Sequence, residues 1–368
     1  MNGPRLRQRR TARLIGVLAA AILAGSVSAP AAHAEQAPLP VGRAAVSSNP
    51  LDDGPWPYYT APWNPIFAAW SKATGTQKAL LAKIATRPRV IWFASSVPTD
   101  QAAELIRTRI DDTQHGDENA WAQIAIFRLH PKGEARRLEP VTAQDQADYK
   151  AWIDQVAAGI GSSKVLMVLE PDLAVSWKGS PAIRFALAAY AARVFGALPN
   201  TRIYLDASDN GWLKPAKAVS MLLQSGVGYV DGIALGATHY TSTAGNVLFG
   251  ANLVRRLAAR GYPGRKVVID TADNGRPFTY KQFIKAHPHG VLSDANLCRT
   301  RAELRCVTLG IPPTTDVANP RWGMSSGVRA AARQYVDAYL WFGRPWDYKQ
   351  SSPFLLNRAL AIAATTRY

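Results

Sequence analysis

Cysteine is scarce in this 368-residue chain, which has only Cys298 and Cys306. Two cysteines without a nearby histidine pair make a poor metal site. The chain contains no H-E-x-x-H helix, no P-loop, no dinucleotide glycine fingerprint and no G-x-S-x-G elbow. Those absences remove the usual signatures of zinc proteases, nucleotidases, dinucleotide enzymes and serine hydrolases. Acidic residues are few, 26 against 43 Lys and Arg, for a formal charge of +17. The basic residues are scattered, and no nucleic-acid motif accompanies them, so no nucleic-acid partner is expected. No fixed-period repeat is visible.

The longest apolar run lies near the N-terminus. Arg5, Arg7, Arg9, Arg10 and Arg13 precede an apolar stretch from Leu14 to Leu23, and small residues follow to Ala32-His33-Ala34. This order of charged, apolar and small residues predicts a secretory signal peptide over 1–34. The apolar stretch is too short for a stable membrane anchor, so a secreted protein free of the membrane is expected. The leader holds five basic residues and no acid, which leaves +12 on the remainder. In a secreted chain two cysteines predict a disulfide, here closing the charged loop CRTRAELRC.

Residues 35–61 are rich in Pro, Ala, Ser and Gly and read as an extended lead-in rather than a core element. From there to residue 368 apolar runs alternate with helical patterns. Strands are expected at 90–93, 122–129, 165–169, 202–206, 232–235, 266–270 and 335–342. Helices are expected at 78–85, 99–113 with Thr99 as cap, 142–160, 181–198, 216–225, 246–260 and 357–365. Strand–helix alternation of this kind builds parallel βαβ units. The fold class is therefore α/β, a distorted (β/α) barrel of about seven parallel strands in one domain, 62–368.

The run VLMVL at 165–169 stops at Glu170-Pro171-Asp172, because Pro171 cannot donate to a ladder. Ligands bind at the carboxyl edge of such sheets. Other apolar runs also stop at acids, Asp206 and Asp270. Several carboxylates on one rim meet the first need of glycoside hydrolysis, in which one acid protonates the leaving oxygen and a second carboxylate serves as base or nucleophile. The chain also holds 11 Trp. Each is by default a core residue, but flat rings near strand ends stack on sugars.

Several segments together resemble glycoside hydrolase family 6, the inverting β-1,4-glucanases and cellobiohydrolases. ADYKAWIDQVAAGIG and VLMVLEPD resemble the family's helix and its V-x-E-P-D strand. YLDASDNGW (204–212) is similar to Y-[IL]-D-A-G-H-x-G-W. VVIDTADNG (267–275), GIPPTTD (310–316) and VDAYLWFGRPWD (336–347) resemble further family segments. The resemblance implies a secreted, monomeric inverting hydrolase of β-glucan with Asp172 as general acid, Asp206 in its charge network, and no cofactor or metal. It implies sugar contacts from Trp92, Trp212, His239, Tyr240, Asn274, Trp341 and Arg344. The family's R-D-C appears here as FRLHPKGEA, which puts Glu134 beside the Asp position. Its K-P-P-G-E-x-D becomes GRPWDYKQ, with Arg344 and Asp347 for Lys and Glu. The base is thus expected from Glu134 or Asp347. The alternative is a carbohydrate-binding relative with weak or no hydrolysis.

Overall fold

A computed structural model describes residues 49–61, 64–130 and 138–368. The leader and Glu134 lie outside them. The described residues fall in one compact unit, Gly42–Tyr368. In chain order they form α1 (Pro65–Lys72), α2 (Gly75–Ala85), β1 (Ile91–Ala94), α3 (Ala102–Gln114), β2 (Ala122–Phe127), α4 (Ala143–Ile160), β3 (Val165–Leu169) and α5 (Pro181–Gly196). Then come β4 (Thr201–Asp206), α6 (Pro215–Gln224), β5 (Gly232–Leu235), α7 (Thr243–Ala258), β6 (Lys266–Asp270), α8 (Tyr280–Ala286), α9 (Ser326–Tyr335), β7 (Val336–Leu340) and α10 (Leu356–Thr365). Among the described residues seven parallel strands lie in the order β1 to β7, each paired with its neighbours in sequence.

The sheet is curled, and its two faces bury different sets. Val165, Met167 and Leu169 of β3 pack outward against the helices, with Trp152, Phe185 and Phe195. Leu166 and Val168 point into the curl with Ala125, Tyr204, Ala234, Val268 and Ala338. This period-2 division explains why β3 is apolar throughout: both faces are covered. A third cluster joins α1, α2 and α10 through Ile66, Leu81, Ile84, Ala359 and Ile362. The edges of the curl meet sparingly. The Val90 N–H donates to the Trp341 carbonyl at 2.9 Å, and the Trp92 indole N–H donates to Phe342 O at 2.7 Å.

Local signals set most boundaries. Thr142 and Asp145 form a reciprocal capping box that starts α4. Ser242 accepts from the Gly245 N–H at 3.1 Å and starts α7 at Thr243, earlier than the apolar pattern predicts. Thr99 does not cap a helix as expected: Thr99–Gln101 form a 3-10 turn, and α3 begins at Ala102. α1, α8 and α9 are additional to the predicted elements.

The lead-in differs from its expected role. Leu51 is wholly buried inside the curl, the Asn49 amide donates to Asp337 O at 2.6 Å, and the Trp121 N–H donates to Pro55 O. Asp337 and Trp121 flank the amino ends of β7 and β2, so this segment closes the end of the curl away from the acids. The predicted bridge Cys298–Cys306 is present, with Cα atoms 4.9 Å apart.

Candidate active site

The carboxyl ends of the strands collect backbone conformations that L-residues avoid. Glu170 (φ 50°) and Asp172 (φ 64°) follow β3, Ser208 (74°) follows β4, Thr238 (56°) follows β5, and Lys349 (49°) and Gln350 (57°) follow β7. Such residues persist only where their surroundings over-determine them, and they gather at functional sites. The amino ends of these strands show no such cluster among the described residues.

Glu170 turns away from the cleft because of its left-handed backbone. Its carboxylate accepts the Arg128 and Leu129 N–H groups at 3.0 and 3.1 Å and the Tyr149 hydroxyl at 2.8 Å. Burial pushes this carboxyl up to about 7, against the pull of those donors and of Arg128. Glu170 thus joins the end of β2 to α4 and sets the turn that carries Asp172.

Asp172 is half-buried, and its Oδ1 lies 3.8 Å from His239 Nε2. The other imidazole nitrogen, Nδ1, bonds Asp209 Oδ2, and Asp209 Oδ1 accepts the Gly211 N–H. Burial lowers the imidazole's proton affinity. The Asp209 bond and the charges of Asp209, Asp172 and Asp206 outweigh it and raise His239 to about 9. Asp206, the last residue of β4, continues the inward row of Tyr204 and is fully buried. Its Oδ2 accepts the Ser208 N–H at 3.1 Å, and its Oδ1 has no hydrogen-bond partner among the described residues. Burial first, and then the charge of Asp172, holds the Asp206 carboxyl well above the usual range.

A second pair of acids lies beneath. Asp270 accepts four backbone N–H groups, from Ala272, Thr238, Phe342 and Gly343. Asp273 accepts from the Gln350 amide at 2.9 Å. Burial raises both carboxyls. The charge of Asp270 raises Asp273 further, while its four donors pull Asp270 back down. Gly343 is required here: a Cβ would sit 2.9 Å from Asp270 Oδ2 and 3.0 Å from Asp273 Oδ2.

Beside His239 opens a cleft of about 400 Å³, lined by Trp212, Tyr240, Phe278, Tyr280, Lys178 and Asp209. Trp212 is 37% exposed and its ring lies 5.0 Å from the imidazole. Tyr240 forms a buried wall, stacked on Phe278 at 4.7 Å with its hydroxyl bonded by Gln350.

The remaining expected sugar contacts are placed differently. Trp341 is buried, its indole N–H donates to Ile311 O at 2.9 Å, and it packs with α2 and α10; it is a core residue. The Asn274 amide is spent on Thr241 O, Thr243 Oγ1 and Asp270 O, tying three loops together. Trp92 is partly buried against the cluster inside the curl, with the Arg344 guanidinium 4.7 Å from its ring centroid, so these two residues cover one another. Asp347 is buried beside Arg344 and Arg89. Burial pushes its carboxyl up to about 6 and the two guanidinium groups oppose the rise. The charges acting on it are thus those arginines rather than Asp172 or Asp206. Among the described residues no group of three or more His, Cys, Asp or Glu converges as a metal site.

Sequence reasoning missed Asp209 and Gln350. Asp209 stands at the His of the Y-[IL]-D-A-G-H-x-G-W pattern, a departure legible in the sequence. Its bond to a histidine of the next loop was not.

Comparison with known proteins agrees with this geometry. The family model described as glycosyl hydrolases family 6 matches residues 56–345. Endoglucanase A of Cellulomonas fimi is 30% identical over 223 residues, 59% of this chain and 46% of that protein. Endoglucanase A of Thermobispora bispora is 26% identical over 244 residues, 63% of this chain and 51% of that protein. The chain therefore spans about half the length of these curated relatives. Among solved structures, the endoglucanase Cel6 from Mycobacterium tuberculosis, in complex with a thio-linked cellobioside, superposes with a TM-score of 0.64. That match has 24% identity and covers 86% of this chain and 98% of that one. Cellobiohydrolase II (Cel6A) from Humicola insolens, in complex with glucose and cellotetraose, gives 0.57 at 18% identity, covering 82% and 87%. These two likenesses establish the curled seven-stranded fold. With the family match spanning most of the chain and the acids gathered at its strand ends, the chain belongs to glycosyl hydrolase family 6.

Proposed function

We propose that this protein is a secreted, monomeric hydrolase that cleaves β-1,4-glucosidic bonds in cellulose or a related β-glucan with inversion, Asp172 acting as general acid. The observation that carries the reading is the approach of Asp172, within range of the charge of buried Asp206, to His239, which lines a cleft with Trp212 on the carboxyl rim. Burial and the charge of Asp172 favour the protonated form of Asp206, so the two carboxyls do not both ionise readily. Asp172 then gives its proton to the glycosidic oxygen as water attacks C1 from the opposite face. In inverting enzymes the two carboxyls stand roughly 6.5–9.5 Å apart to admit that water. Asp347 and Glu134 are the two acids offered for the base, and the arginines beside Asp347 favour its ionised form.

The test is sugar release from carboxymethylcellulose and barley β-glucan. Asp172→Asn keeps the shape and removes the proton donor, so the rate should fall about 10²–10⁴-fold while binding to insoluble cellulose persists. Whichever of Asp347→Asn and Glu134→Gln removes the base should behave alike. Wild-type binding without release identifies a carbohydrate-binding relative and sinks the hydrolase reading.

A further inference from the structure

We propose that Asp209 and His239 form a relay behind Asp172, with His239 returning a proton to Asp172 after each cleavage. The proposal rests on the reading of Asp172 as general acid. It starts from an exchange of residue types. Where the family pattern has His, this chain has Asp209, and the imidazole arrives instead from the loop after β5. The two side chains bond each other, Asp209 Oδ2 to His239 Nδ1.

The geometry gives the imidazole a direction. Asp209 is 2% exposed and is itself held by the Gly211 N–H, so it is a fixed acceptor. The His239 backbone N–H is tied to Gly236 O at 3.0 Å. With Nδ1 occupied, Nε2 is the end left to face Asp172, at 3.8 Å. That separation is about 1 Å beyond hydrogen-bond range, and catalytic hydrogen bonds commonly tighten when substrate binds. The imidazole is 19% exposed and lines the cleft, so it can exchange protons with water there.

The charged groups around His239 come from every neighbouring loop. Asp172 faces it from beyond β3, Asp206 and Asp209 from the end of β4, and Asp273 from beyond β6. Lys178 lines the same cleft as the opposing cation. This excess of carboxylates favours imidazolium over imidazole.

The step balances. Asp172 gives its proton to the glycosidic oxygen, the C1–O bond breaks, water oxygen bonds C1, and the water's proton passes through the base to solvent. Asp172 is left a carboxylate. Nε2–H of His239 then transfers to Asp172 Oδ1, and the neutral imidazole takes a proton from cleft water. One water is consumed and no net proton is gained. His239 is thus a positioning and proton-carrying residue that acts through Asp172.

The experiment has two arms on the full chain. In the first, NMR follows the imidazole titrations of histidine-labelled protein, with His239→Gln assigning the resonance. Asp209→Asn should lower the His239 midpoint by about one unit or more, and Asp172→Asn by about half a unit or more. An unchanged midpoint in Asp172→Asn overturns the relay whether or not the protein is active. In the second arm, β-glucan hydrolysis by His239→Gln should show kcat reduced roughly tenfold or more with KM nearly unchanged, and free imidazole should restore part of the loss. An active wild type with an unaffected His239→Gln variant at every pH overturns the relay and leaves the hydrolase reading standing. An inactive wild type overturns both.

Discussion

At the scale of single residues, burial separates tryptophans that look alike in sequence. Trp212 and Trp341 both follow acid-bearing strands, and both fit the spacing of a sugar platform. Trp212 keeps its ring in the cleft, whereas Trp341 gives its indole N–H to Ile311, thirty residues away. Trp212→Ala should therefore weaken glucan binding and leave the melting temperature nearly unchanged. Trp341→Ala should cost about 3–5 kcal/mol of stability, read by urea unfolding, through loss of a buried aromatic and the cavity it leaves. The acids show the same limit of the sequence. Asp172, Asp206 and Asp270 are legible because each ends an apolar run. Asp347 is legible in sequence only beside Arg344, since Arg89 comes from a distant segment. Gln350 carries no signal at all, because its role depends on a left-handed backbone that brings its amide to Tyr240, Asp273 and Thr238.

At the scale of elements, strands were easier to read than helices. A strand buried on both faces must be apolar along its length, so β3 and β6 announce themselves, whereas β5, short and opened by Gly232, is a weak signal. α9 buries only Ala332 fully and is made mostly of small and polar residues, so no apolar run marks it in sequence. α8 is short and opens with a polar capping box at Thr279 and Gln282. The joint between β2, β3 and α4 yields a prediction. Glu170 there accepts three donors with its fully buried carboxylate. Glu170→Leu removes both acceptor oxygens and leaves the Arg128 and Leu129 N–H groups and the Tyr149 hydroxyl without them. Each such buried, unsatisfied group costs about 1–3 kcal/mol. The variant should unfold at correspondingly lower denaturant. It should also lose hydrolysis beyond the fraction unfolded, because the turn bearing Asp172 loses its anchor.

At the scale of the whole molecule, several titrations act in one direction. Burial raises Glu170 to about 7 and Asp337 and Asp347 to about 6. A carboxyl raised on folding binds its proton more tightly in the native state. Its contribution is therefore greatest below the unfolded value near 4 and is lost as pH rises through 6 to 7. His239 is raised as a base, to about 9. Its contribution is complete below the unfolded value near 6.5 and is lost as pH rises through 9. All these slopes are negative, so Tm should fall steadily from about pH 5 to pH 9. Below pH 5 the large positive charge adds self-repulsion. A stability maximum at mildly acidic pH is expected by calorimetry, and a Tm that rises between pH 6 and pH 8 would contradict it.

The sparse seam between β1 and β7 has a consequence for how the chain assembles. Every strand pairs only with those before and after it in sequence, so the sheet can grow in the order in which the ribosome delivers it. The seam asks for something distant: Trp92 must find Phe342 across 250 residues and Asn49 must find Asp337 across 288, just as α10 must find α1 and α2. Two of the four donors to Asp270, Phe342 and Gly343, also arrive with the last strand. Until then Asp270 remains hydrated on an unfinished edge. The acid-bearing rim is thus completed only with the last strand, and a nascent chain stalled before β7 holds the residues that line the cleft while Asp270 still lacks two of its four donors.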